Sequence, residues 1–231
     1  MKKSKKLIVI SLGGSLIIPE KINFPFLDNF KKNLRKFYNK CKFVVVCGGG
    51  IIARKYIEAL KKEGKSKKEM ALAGIRATRM NALFIMQFFG KKANGSLPIS
   101  MLEVKNKINK NNVVVCGALR YSPNSTSDGT AAHLANYLKT EFINMTNVSG
   151  LFTDDPKKNK NAKLIPKISW KEFESLASKI KHEPGQHFVL DQQAAAIIKK
   201  HKIKTYIIGP KLKNLCNIIK NKSFHGTLIY G

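Results

Sequence analysis

Short β-branched runs alternate along this chain with longer stretches of helical period. The runs are LIVISL at 7–12, FVVVC at 43–47, NNVVVCG at 111–117, EFINMTNVSG at 141–150, TYIIG at 205–209 and a last one at 227–230. Short apolar runs bounded by turn residues read as strands buried on both faces. Between them, Phe26, Phe30, Leu34 and Phe37 share one face of a helix predicted over 26–39, with Pro25 suited to its first turn. Further helices are predicted over 52–63, 67–89, 129–139, 169–179, 191–201 and 212–220. The 67–89 stretch ends in LFIMQFF, apolar on most sides, which suits a core helix or a subunit contact. Residues 153–168, rich in Lys, Asn and Pro, read as a surface excursion.

Strands that alternate with helices predict an α/β fold, a three-layer α/β/α sandwich with a mainly parallel central sheet. With no internal repeat and no long linker, residues 1–231 are expected to form a single domain, the half from about 141 onward making a distinct lobe.

Composition changes this picture little, and charge changes it more. The chain has 231 residues, 43% hydrophobic and 25% charged, as soluble globular proteins do, and no apolar run long enough to span a membrane. The N-terminus is basic and then apolar, like an export signal. Gly13 and Gly14 interrupt the apolar stretch and no small-residue cleavage site follows, so a first strand running into a glycine turn is expected, in a cytoplasmic protein. Cys41, Cys47, Cys116 and Cys216 form no C-x-x-C pair, which points to a reducing compartment without a disulfide framework or zinc site. The formal net charge of +29 is a possible footprint for nucleic acid. The lysines are spread over nearly every segment, and Lys, Asn and Ile share AT-rich codons. Nucleic acid is therefore not expected as a primary partner.

The chemistry gathers at strand ends. GGS at 13–15, GGG at 48–50, SPNSTSDG at 122–129 and TNVSG at 146–150 each follow a predicted strand. In a parallel sheet, ligands collect beyond the carboxyl ends of the strands, so these loops are expected to meet in one crevice. Neither G-x-x-x-x-G-K-[ST] nor G-x-G-x-x-G is present, which argues against P-loop enzymes and dinucleotide dehydrogenases. No Ser-His-Asp or Cys-His set stands out, and the five histidines, at 133, 182, 187, 201 and 225, show no ligand spacing. Phosphoryl transfer between two anions needs no protein nucleophile. It needs backbone N–H groups, cations, a metal and in-line placement. The glycine loops, the helix beginning after Gly50 and Arg54 one turn into it supply those parts. Asp128 reads either as a helix N-cap or as an organiser of the loop donors.

With these residues in view, the chain resembles the amino-acid kinase superfamily and is similar within it to the archaeal-type uridylate (UMP) kinases. The matching stretches are ISLGGSLI at 10–17, VVVCGGGIIARKYIE at 44–58, GIRATRMNAL at 74–83, STSDGTAAHLANYL at 125–138, TNVSGLFTDDPKK at 146–158 and LDQQAAAIIKKHKIKTYIIG at 190–209. The resemblance implies transfer of the γ-phosphoryl group of ATP to UMP, with Mg²⁺, by a homohexamer. It implies that 1–140 is mainly the acceptor-binding lobe and 141–231 mainly the ATP-binding lobe. Carried over, Gly14, Ser15, Gly50, Arg54, Thr146, Phe152 and Asp155 face ATP. Gly49 and the loop Leu119, Arg120, Tyr121, Ser122, Pro123, Asn124, Ser125, Thr126 and Ser127 face UMP. Arg54 and Asp128 are the catalytic pair, and no protein metal ligand is implied.

Ser11 stands where carboxylate kinases of the superfamily place a Lys. Ala71 stands where relatives carry an Asp serving the ribose, with Glu69 two residues earlier, and Ser149 stands where TNVDG is usual. A kinase for another small acceptor, such as isopentenyl phosphate, is the alternative. That subfamily carries a His in the loop after the second strand, and here the segment is GGGIIAR. An alternative of another class is a nucleic-acid-binding protein on a kinase-like scaffold.

Overall fold

A computed structural model describes residues 5–121, 126–156, 158–179 and 189–231. In chain order the strands are β1 (Lys6–Leu12), β2 (Cys41–Cys47), β3 (Val113–Cys116), β4 (Phe142–Met145), β5 (Lys167–Ile168), β6 (Thr205–Ile208) and β7 (Thr227–Ile229). The helices are α1 (Gly14–Ile17), α2 (Phe24–Arg35), α3 (Gly50–Lys62), α4 (Lys67–Phe89), α5 (Met101–Lys110), α6 (Ser127–Tyr137), α7 (Trp170–Lys179), α8 (Gln192–Lys200) and α9 (Leu212–Ile219).

One seven-stranded sheet runs in the order β3-β2-β1-β4-β6-β7-β5, parallel except for the β6–β7 pair. The expected mainly parallel α/β/α sandwich is therefore the observed fold. The β-branched runs are buried on both faces, and the pleat sorts their side chains. Ile8, Ile10 and Leu12 join Phe43 and Val45 in a core under α2, α4 and α9, with Phe30, Ile85 and Leu215. Val9, Val44 and Val46 join the opposite core under α5, α6, α7 and α8, with Val104, Leu134, Phe173 and Ile198. Those two apolar layers hold the sandwich together, at roughly 25 cal/mol per Å² of apolar surface removed from water.

Three elements depart from the sequence reading, the first being β5, which pairs with β7 at the end of the expected 153–168 excursion. The expected strand-to-turn at GGS holds a single helical turn, α1, and the stretch before β3 holds α5, which the sequence reading left without a helix. Ser100 caps α5, its hydroxyl accepting from the Glu103 N–H, and Val104 and Ile108 face the core. No helix among the described residues is long and apolar enough to cross a membrane.

Candidate active site

Four parallel strands end level with one another. Leu12 of β1 lies opposite Cys47 of β2 and Met145 of β4, and Val46 lies opposite Cys116 of β3. Crossovers from β1 lead to β2 and β3 on one side, while β4 lies on the other side of β1, so the connections diverge here. A crevice at such a divergence is where open α/β sheets hold ligands.

The two glycine loops touch backbone to backbone. Gly13 N–H donates to the Met145 carbonyl at 2.9 Å, and Gly48 N–H to the Leu12 carbonyl at 2.9 Å. A Cβ on Gly14 would stand 2.1 Å from the Gly50 nitrogen, and Gly50 itself has φ +59°. Glycine at both positions follows from that contact and from the left-handed backbone. Helix α4 supports the loops from below. Buried Asn81 donates from Nδ2 to the Gly48 carbonyl at 2.7 Å, and Thr78 Oγ1 accepts from Ala118 N–H at 2.9 Å.

Asp128 sits two residues inside α6. Thr126 is the N-cap, its Oγ1 accepting from Gly129 N–H at 2.9 Å, so the N-cap reading of Asp128 is corrected. Ser11, fully buried on β1, donates to Asp128 Oδ1 at 2.7 Å. Thr126 donates its hydroxyl to Asp191, which caps α8 by accepting from Ala194 N–H at 2.8 Å. Burial, then the neighbouring Asp191 charge, push the Asp128 carboxyl up to about 7, against the opposing hydrogen bond from Ser11. The sign follows. Because the folded value exceeds the ordinary one, the stability tied to Asp128 is present below about pH 4 and is lost as pH rises through about 7. Asn keeps the acceptor for Ser11 and carries no charge. Asp128→Asn should therefore melt about 4 °C above the native chain at pH 8 and level with it at pH 4, while losing roughly tenfold or more in turnover. A melting difference independent of pH, in scanning calorimetry, would sink this account.

Arg54 is exposed on α3 and makes no ion pair or hydrogen bond among the described residues. Ser15 lies in α1, and Thr146 follows β4, its N–H donating to the Ile208 carbonyl at 3.0 Å. Phe152 pairs with Leu164 in an isolated bridge, and the Asp155 carbonyl accepts from Lys158 and Asn159. The Leu119 side chain belongs to the core, while Arg120 and Tyr121 are exposed and Ser127 opens α6. Ser122, Pro123, Asn124 and Ser125 lie outside the described residues. Glu69 does not stand in for the acid absent at Ala71. Its carboxylate accepts from the Ser66 hydroxyl at 2.7 Å and from Ser66 N–H at 2.9 Å in the capping box that starts α4, and these bonds, the hydroxyl's first, hold it below the usual carboxylate range. A hollow of about 650 Å³ at the amino-terminal end of the strands, lined by Lys6, Thr140, Glu141, His201 and Lys204 among others, shares no residue with these loops.

Sequence reading missed Thr78, Arg79 and Asn81 as site residues, although it singled out the stretch that holds them. It also missed Asp191, whose place before an alanine-rich helix was a legible cap signal.

A parallel sheet with two interlocked glycine loops and a buried carboxylate at its switch point defines a phosphate-handling α/β protein. A model of the amino acid kinase family matches residues 6–209, and the chain belongs to that family. It is 35% identical over 217 residues to a uridylate kinase of Pyrococcus abyssi, covering 93% of this chain and 96% of that one. It is 33% identical over 223 residues to the uridylate kinase of Archaeoglobus fulgidus, covering 96% of this chain and 99% of that one. The crystal structure of a uridylate kinase from Archaeoglobus fulgidus superposes with a TM-score of 0.83, at 33% identity over 96% of this chain and 99% of that one. A UMP kinase from Ureaplasma parvum, 21% identical, shares the fold with a TM-score of 0.80 over 99% of this chain and 100% of that one.

Proposed function

We propose that this chain transfers the γ-phosphoryl group of ATP to UMP, giving ADP and UDP for pyrimidine nucleotide synthesis in the cytoplasm. One observation carries the reading. The two glycine loops are in backbone contact at the strand ends, in a chain alike over nearly its whole length to uridylate kinases. Two phosphate-binding loops this close bring donor and acceptor phosphates together, and orientation alone removes a large part of a bimolecular barrier.

In this reading Gly14, Ser15, Gly50, Arg54, Thr146, Phe152 and Asp155 form the ATP side. Gly49 and the loop from Leu119 to Ser127 form the UMP side. Leu119 takes part through its backbone, since its side chain is core, and the Thr126 hydroxyl is already engaged by Gly129 and Asp191. Residues 1–140 would form mainly the acceptor lobe and 141–231 mainly the ATP lobe, a boundary between β1 and β4 in the sheet that Gly14, Ser15, Gly50 and Arg54 reach across from the first lobe to the ATP side.

Magnesium suits this donor set as an ion that travels on the nucleotide. Among the described residues no group of three or more His, Cys, Asp or Glu converges to cage a metal, and Mg²⁺ commonly keeps phosphate and water ligands. The Asp128–Asp191 pair is tied through Ser11 to the end of β1, two residues before the first glycine loop. Bound with ATP, the ion would supply charge neutralisation on the phosphates. The protein's own part is to fix the loops, exclude water and present the first amides of α3 to charge that develops on the transferred group.

The proposal extends to a homohexamer. Helix α3 buries no residue of its own, and Tyr56 of α3 and Met80 and Leu83 of α4 are exposed apolar side chains that contacts with further copies would cover. The test is ADP release with ATP, Mg²⁺ and a panel of phosphate acceptors, on a preparation whose mass is measured by light scattering. Turnover with UMP well above that with isopentenyl phosphate, CMP or AMP, from a particle of six chains, is expected. Turnover with another acceptor and none with UMP would overturn the acceptor, and a monomer would overturn the assembly.

A further inference from the structure

We infer that Arg79 is the positioning residue of the acceptor loop, holding its first residues in place without touching substrate. This rests on the reading that the loop after β3 receives UMP. The loop begins on α4 itself, because a Cβ on Gly117 would stand 2.7 Å from the Arg79 nitrogen and 2.7 Å from the Thr78 carbonyl carbon. From there three backbone groups are held by α4. Ala118 N–H donates to Thr78 Oγ1 at 2.9 Å, and that hydroxyl donates onward to the Ile75 carbonyl at 2.7 Å. Arg79 Nε donates to the Ala118 carbonyl at 3.1 Å, and its Nη2 donates to the Leu119 carbonyl. The Leu119 side chain anchors in the core, 4% exposed.

Two consecutive carbonyls on one planar fork are a grip that Lys, with a single ammonium on a flexible stem, does not reproduce. Neutral donors would satisfy two carbonyls as well, yet the residue is cationic, and no carboxylate among the described residues pairs with it. Arg79 therefore leaves an uncompensated positive charge beneath a loop that takes a phosphate. The same helix holds the Gly48 carbonyl through Asn81 at 2.7 Å. Helix α4 thus sets the spacing between the acceptor loop and the glycine loop, and Arg79 is the acceptor-side end of that spacer.

Substitution separates positioning from contact. Arg79→Ala and Arg79→Lys are compared with the native chain by amide hydrogen exchange without ligand and by steady-state kinetics with UMP and ATP varied separately. Arg79→Ala should speed exchange at Leu119–Tyr121 by roughly tenfold or more in the ligand-free protein, as local opening replaces a held loop. KM for UMP should rise by at least roughly tenfold while KM for ATP stays within about twofold. Arg79→Lys should keep the fold and restore less than half of the exchange protection. Unchanged ligand-free exchange with a raised KM for UMP would make Arg79 a direct ligand contact and overturn the inference. A matched rise in both KM values with a lower Tm would reduce Arg79 to a structural role and overturn it too. If the native chain does not turn over UMP, the acceptor reading fails, and the exchange measurement still decides whether Arg79 holds the loop.

Discussion

Gly14→Ala is expected to cut kcat/KM by about 10²-fold or more and to lower Tm by about 5–10 °C. The added Cβ would stand 2.1 Å from the Gly50 nitrogen and 2.5 Å from its Cα. Both are backbone atoms, so no side chain can rotate out of the way. Gly50 cannot move aside cheaply either. It holds φ +59°, and a Cβ of its own would meet Gly14 C at 2.6 Å. The two loops must separate by about an ångström, and a displacement of that size at reacting groups costs about 10²-fold in rate. Gly95→Ala is the control, since nothing lies within 4 Å of a Cβ there, and it should leave both quantities near native. Rate assays and calorimetry on the two variants decide the matter. Activity of Gly14→Ala within about threefold of native would mean that the loops do not share one crevice.

What made the crevice legible was local. Glycine after a β-branched run marks a strand end, and the sheet topology then brings four such ends together. The buried-strand runs and the helical faces were legible for the same reason, because a period of two or of 3.6 is written in neighbouring residues. Helix α5 escaped because MLEVKNKINK carries few apolar residues, although S-x-x-E at Ser100 and Glu103 announces its start. The same spacing at Ser66–Glu69 and Ser169–Glu172 marks α4 and α7. In a chain with 14 acidic residues, three glutamates so used are three that binding cannot claim. Glu69 shows the consequence, being close in sequence to Ala71 yet committed to its cap. Other features could not be read from neighbours. The Ser11–Asp128 bond joins residues 117 apart, and the Arg79 grip on Leu119 joins residues 40 apart. A Ser in place of Lys at position 11 looks like a missing charge, and only packing reveals it as a donor to a buried carboxylate.

Arg54→Ala should lower turnover by about 10²- to 10³-fold, the scale for losing one preorganised contact to developing charge. The competing view, a solvated helix charge, meets an electrostatic objection. Arg54 is the fifth residue of α3, one turn from its positive end, where the helix dipole gives a cation no stabilisation. Helix stability would place an acid there, yet the first turn of α3 contains none and begins at Gly50, in contact with Gly14. In the proposed reading, positive side chain and positive helix end together would build an anion site at the start of α3. The general charge of the chain cannot account for the expected loss. Removing one exposed charge from a net of +29 alters surface electrostatics by well under a factor of ten at physiological salt. Arg54→Lys separates charge from geometry, since an ammonium keeps the attraction and loses the planar fork, and it should recover only part of the rate. Steady-state kinetics place the contact. An equal fall in kcat and kcat/KM puts it in the transition state, a rise in KM for ATP alone makes it a ground-state grip on the donor, and a change under about threefold leaves Arg54 a bystander.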